Sequence, residues 1–143
     1  IAGDKSPSDF FIEIYNYNME RAKMKRCRYT ASRARKDLEN GFADRKLLEK
    51  LYSQYNPIKD IDLFIEQADK LFPHLNCGVA SVYLKHLLRE GKIVNGKYNK
   101  EDHTFLLLKN NIIIDITADQ YGGPEIYAGP LKSPWAVKDM LKN

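Results

Sequence analysis

At 143 residues, with 43% hydrophobic and 29% charged side chains and a net charge of +4, the chain has the size and balance of one soluble domain built on a single core. No apolar run approaches the roughly 18 to 20 residues a membrane helix needs, so no integral membrane segment is expected. The two cysteines, Cys27 and Cys77, give a weak case for a disulfide in a chain this size, and a reducing, cytoplasmic site of action is expected instead.

The N-terminal stretch "IAGDKSPSDFF" has no basic region followed by an apolar one. No signal peptide is therefore expected, and the stretch reads as the cut edge of a larger protein. "SDFFIEIYNYNMERAKMKR" predicts a helix capped by Ser8, with Phe11, Ile14, Tyr15 and Met19 recurring at three- and four-residue spacing. A second helix is expected over residues 30–39, ending where Gly41 can take a left-handed conformation. "ADRKLLEKLYSQY" and "DIDLFIEQADKLF" predict two more, separated by Pro57 and stopped by Pro73.

Within this region residues 21–36 hold eight basic side chains and no acid: Arg21, Lys23, Lys25, Arg26, Arg28, Arg33, Arg35 and Lys36. On composition this is first a solvated helix face, and second a patch for an anionic surface or a nucleic acid.

Beyond residue 73 the period changes. "CGVASVYLKHLLREG" predicts an apolar helix from Cys77 to about Glu90, closed by Gly91. "KIVNGKY" suggests a short edge strand or a hairpin about Asn95 and Gly96. Strands are expected near residues 103–108 and 112–117, and "SPWAVKDML" reads as a last helix with Ser133 as N-cap and Pro134 at N1. The fold class is α+β: one domain, with a helical portion over residues 1–73 and, over 74–143, a helix packed on a small antiparallel sheet.

The chemistry centres on Cys77. A thiol at a helix N-terminus sits where unpaired N–H groups and the macrodipole favour the thiolate. The small Gly78 leaves room for a substrate carbonyl, and first-turn amides can face an oxyanion. A thiolate nucleophile needs a base, and the base needs an orienting group. Of three histidines, His74 precedes the helix and His86 lies about half a turn round from Cys77, which leaves His103 at the start of a strand.

Asp115 is the candidate orienting group if the loop before its strand has an odd length. A three-residue loop of Lys109, Asn110 and Asn111 puts Asp115 opposite Phe105, on the same face as His103 and diagonal to it. Asp102 competes for the role but points to the other face. Neither a metal-ligand spacing nor a phosphate-loop motif occurs, so no metal and no cofactor are expected.

The segments "NCGVAS", "DHTFLLL" and "IIIDITADQYG", spanning residues 76–121, resemble the papain-like superfamily in its transglutaminase-type arrangement. The resemblance implies a papain/transglutaminase-like core with Cys77 as nucleophile, His103 as general base and acid, and Asp115 as orienting carboxylate. It implies acyl transfer on protein amides through a thioester: glutamine deamidation in the manner of bacterial toxins and injected effectors, transamidation, or peptide hydrolysis. A papain-type oxyanion glutamine is missing before Cys77, where the chain reads "FPHLNC"; Asn76, Gly78 and Gln120 are the remaining candidates at the site. The rival reading is a non-catalytic basic module that contacts nucleic acid or acidic membrane through residues 21–36.

Overall fold

The computed structural model describes residues 6–138. Helix α1 runs unbroken from Pro7 to Glu39, so the two helices expected there are one. Nothing between residues 27 and 30 could stop it, because that stretch, Cys-Arg-Tyr-Thr, lacks glycine and proline. Its cap is Ser6, not Ser8: the Ser6 hydroxyl accepts from Asp9 N, and the Asp9 carboxylate accepts from Ser6 N. The periodic Phe11, Ile14, Tyr15 and Met19 are solvent-exposed, and the first buried residue along α1 is Cys27.

Helices α2 (Arg45–Tyr55) and α3 (Ile61–Lys70) flank Pro57. The Asp44 carboxylate caps α2 by accepting from Leu47 N at 3.0 Å. Helix α4 spans Cys77–Leu88 and ends on Arg89 in a left-handed conformation, φ 60°. Strands β1 (Lys92–Tyr98), β2 (Glu101–Leu107), β3 (Ile112–Asp115), β4 (Tyr127–Pro130) and β5 (Trp135–Val137) form one antiparallel sheet in the order β4-β3-β2-β1-β5. The architecture is α+β, with a helical N-terminal half.

Two expectations about the sheet are overturned. β1 is neither an edge strand nor a hairpin at Asn95-Gly96; it lies between β2 and β5, and the chain turns at Asn99, φ 54°. Gly96 serves the pairing instead, since a Cβ there would stand 2.2 Å from Ala136 O on β5. The expected last helix is a strand over Trp135–Val137, paired with Gly96–Tyr98, and Ser133 caps nothing. Non-local pairing overrides the local Ser-Pro signal. The remainder of that expected helix, from residue 139 on, lies outside the described residues.

Strand alternation sorts the apolar side chains onto two faces. Leu106, Leu108, Ile114 and Ile116 pack against Val79, Val82 and Leu84 of α4 and against Cys27, Leu38 and Ile65 of the other helices. Phe105 and Ile113 face the other way, with Tyr98, Ala118 and Trp135. Tyr127 of β4 and Trp135 of β5 come from opposite edges of the sheet, yet their rings stack at 4.1 Å. The sheet therefore curls over this second core.

Candidate active site

Helix α4 opens on Cys77, with Asn76 as its N-cap residue and no side chain capping it. The first intrahelical bond is Ala80 N to Asn76 O at 2.7 Å, so the amides of Cys77, Gly78 and Val79 are the open donors of the first turn. The Asn76 side chain is turned the other way: its Nδ2 donates to Ala68 O on α3 at 2.6 Å, which ties the start of α4 to the end of α3. Ser81 Oγ donates to Cys77 O at 2.6 Å and also approaches Thr104 O at 3.4 Å, so the Cys77 end of α4 meets β2 at its start.

His103 stands there, 2% exposed, on the second face of the sheet. The loop before β3 has the three residues Lys109, Asn110 and Asn111, and both asparagines adopt left-handed backbone, φ 62° and 55°. Leu106 consequently pairs with Ile114, and one step further Asp115 falls opposite Phe105, diagonal to His103. His103 Nε2 donates to Asp115 Oδ2 at 2.7 Å, with both residues buried. That leaves Nδ1, which is buried and has no hydrogen-bond partner, as the ring nitrogen open to a thiol.

Asp115 is fully engaged. Its Oδ2 also accepts from Trp135 Nε1 at 2.7 Å, and its Oδ1 accepts from Thr117 N at 2.9 Å. The competing Asp102 is exposed and paired with Lys97 Nζ at 2.6 Å, a bond that holds its carboxyl below the usual range. Three aromatic rings surround His103: Tyr121 at 5.4 Å, Phe105 at 6.1 Å and Tyr98 at 6.3 Å. They keep water from the imidazole and strengthen its charged contacts.

The electrostatics follow. Burial by itself would push the Cys77 thiol up, but the neighbouring His103 imidazole and Thr104 outweigh it, and the thiol is lowered from its ordinary value. Burial likewise opposes a charged His103, yet the bond to Asp115 and the nearby Cys77 raise the imidazole to about 9. Both shifts favour the thiolate–imidazolium form of the pair. Cys27 is different: it is free and buried, and burial raises its thiol.

Of the side groups proposed for the oxyanion, Gln120 Nε2 is occupied by Thr117 O at 3.1 Å. Gly78 has an open amide, and its missing side chain makes room for Tyr52, because a Cβ there would lie 3.0 Å from Tyr52 Cε2. Tyr52 thus covers the first turn of α4 from α2, with its hydroxyl accepting from Asn56 Nδ2 at 3.3 Å.

The basic stretch is divided by the fold. Lys23 and Arg26 reach Glu90 at 3.2 and 4.0 Å, and Arg35 is 6% exposed. Arg35 binds Asp119 through both terminal nitrogens at 2.7 and 2.8 Å and donates to Ile116 O at 2.8 Å, so it holds the segment that follows Asp115. Arg21, Lys25, Arg28, Arg33 and Lys36 remain on the surface.

Sequence reasoning did not find Trp135, Tyr98 or Tyr121. Trp135 had a signal: a buried indole N–H needs an acceptor, and Asp115 was the buried carboxylate in need of donors. Comparison with protein-family models gives no match, and neither do comparisons with curated proteins and with solved structures.

Proposed function

We propose that this chain is a cysteine-dependent acyl-transfer enzyme that acts on amide bonds through a thioester, and that its reaction is deamidation of glutamine side chains in a protein substrate. One observation carries the reading: a cysteine opening a helix stands beside a histidine whose far nitrogen is fixed 2.7 Å from a buried aspartate on the next strand. A helix that starts with cysteine and lies on an antiparallel sheet also supports a papain/transglutaminase-like core. The choice of glutamine rests on the resemblance of residues 76–121 to that superfamily, as does the expectation of a bacterial effector or toxin working inside a target cell.

The chemistry runs through the chain's own groups. The Cys77 thiolate attacks the side-chain amide carbon, and the carbonyl electron pair moves to oxygen, where first-turn amides of α4 receive it. The His103 imidazolium passes its proton to the leaving nitrogen, ammonia departs, and a thioester remains on Cys77. Neutral His103 then takes a proton from water, whose hydroxide adds to the thioester; the collapse releases the carboxylic acid, which gives its proton to solvent, and restores thiolate and imidazolium. Asp115 stabilises the charged ring through both half-reactions and holds its tautomer.

The test is incubation with glutamine-containing proteins, read by ammonia release and by mass spectrometry of the substrate. Glutamine-to-glutamate conversion that Cys77→Ala abolishes is the expected result. Amine incorporation or chain cleavage with the same dependence on Cys77 would keep the thioester chemistry and replace the deamidase. A Cys77 thiol no more reactive than a free cysteine would overturn the whole reading.

A further inference from the structure

Helix α1 is 33 residues long, about 50 Å, and its first 20 residues are barely covered by the rest of the chain. Phe10, Phe11, Ile12, Ile14, Tyr15, Tyr17 and Met19 are each more than half exposed, up to 71% for Phe11. Large apolar side chains gathered in this way mark an interaction surface.

The charges on the helix have a direction. Between Phe10 and Lys36 the only acids are Glu13 and Glu20. Steps of seven residues back from the buried Cys27 reach Glu20 and then Glu13, so both lie on the face that α1 turns to the domain; Asn110 Nδ2 donates to Glu20 from β3's loop at 3.3 Å. The opposite face runs Phe11, Tyr15, Ala22, Lys25, Tyr29, Arg33 and Lys36, with Ile14 and Arg21 beside it, and carries no acid. Among the described residues, Lys25, Arg33 and Lys36 have no acidic partner.

We propose that this outward face of α1 rests on an anionic phospholipid bilayer, with Phe11, Ile14 and Tyr15 entering the headgroup boundary and Lys25, Arg33 and Lys36 meeting lipid phosphates. Exposed aromatic and aliphatic groups share this face with the cations, and the acids lie on the face turned away, so apolar contact and pairing with anionic headgroups can act together. Other occupants fit less well. A second copy laid parallel would oppose like cations, and laid antiparallel it would set the basic half on the apolar half. A nucleic acid would match the cations but offer nothing to Ile14 and Met19. The helix is no membrane span, for no helix among the described residues is long and apolar enough to cross one.

The test is co-sedimentation of the full chain with vesicles of phosphatidylcholine alone and of phosphatidylcholine mixed with phosphatidylserine. Binding is expected to the mixed vesicles and to fall with added salt. The triple variant Phe11→Ser, Ile14→Ser, Tyr15→Ser should weaken it roughly tenfold or more, and Lys25→Glu with Arg33→Glu about fivefold per site. All five positions are exposed, so circular dichroism and Cys77 alkylation should be unchanged. Cys77→Ala should bind vesicles as the wild type does, which separates this inference from the proposed chemistry. Absence of binding at low salt, binding indifferent to the serine variant, or self-association by light scattering that the serine variant removes would each overturn it.

Discussion

Trp135 and His103 bond to one atom: the indole Nε1 and the imidazole Nε2 each reach Asp115 Oδ2 at 2.7 Å. The last described strand thereby holds the carboxylate that aligns the candidate base. Without the indole, Asp115 Oδ2 would keep one donor and could rotate toward it. Trp135→Phe removes the N–H together with the five-membered part of the buried indole. It should cost about 2–3 kcal/mol in urea unfolding, the lost bond and the lost packing together. It should also lower the neutral-pH alkylation rate of Cys77 several-fold, a change that a merely structural tryptophan would not produce in the still-folded fraction.

Gly96 controls the same atom from a distance. A methyl at this position would stand 2.2 Å from the Ala136 carbonyl, so Gly96→Ala must push β5 away from β1. The strain and the broken pairing should cost about 2–3 kcal/mol, in the range of other overpacked sites. Because Trp135 moves with β5, the variant should share the slow alkylation of Trp135→Phe. Combining the two should then slow alkylation hardly further.

The pH profile follows from the two shifts at the thiol. His103 is raised to about 9, so the stability it contributes is fully present below its unfolded value and is lost as pH rises through about 9. Cys77 is lowered, so its contribution is present above the unfolded value and lost as pH falls through the lowered one. Between the lowered thiol and the raised imidazole the thiolate–imidazolium pair prevails. Iodoacetamide should therefore react with Cys77 at pH values where a free thiol is protonated. In His103→Ala the onset should move upward, and in Asp115→Asn the imidazolium should be lost at lower pH. An unchanged onset in His103→Ala would show that the two groups do not communicate.

Arg35 separates the buried from the exposed part of the basic stretch. Arg35→Met leaves Asp119 and the Ile116 carbonyl without their donor, at a cost of about 3 kcal/mol. Arg35→Lys should recover little of this, since an ammonium cannot match the two-nitrogen grip on Asp119. Arg33→Ala, two residues earlier and exposed, should change stability by about 0.5 kcal/mol or less. Urea unfolding of the three variants reads the difference.

Local patterns carried much of this structure. Periods of three and four residues placed α2, α3 and α4, alternation placed β2 and β3, and two asparagines that tolerate left-handed backbone fixed the loop length that sets the register of His103 and Asp115. Those features depend on neighbours in sequence, so the sequence by itself determined them, along with the order cysteine, histidine, aspartate. Tertiary structure alone decided the rest. Whether Phe11 and Tyr15 are core depends on whether another element covers them, and none of the described residues does. Whether Arg35 is surface depends on Asp119, which lies 84 residues away. Trp135 belongs to a strand rather than a helix because β1 offers it backbone partners and Asp115 offers its indole an acceptor, two long-range contacts that outweigh a local capping signal.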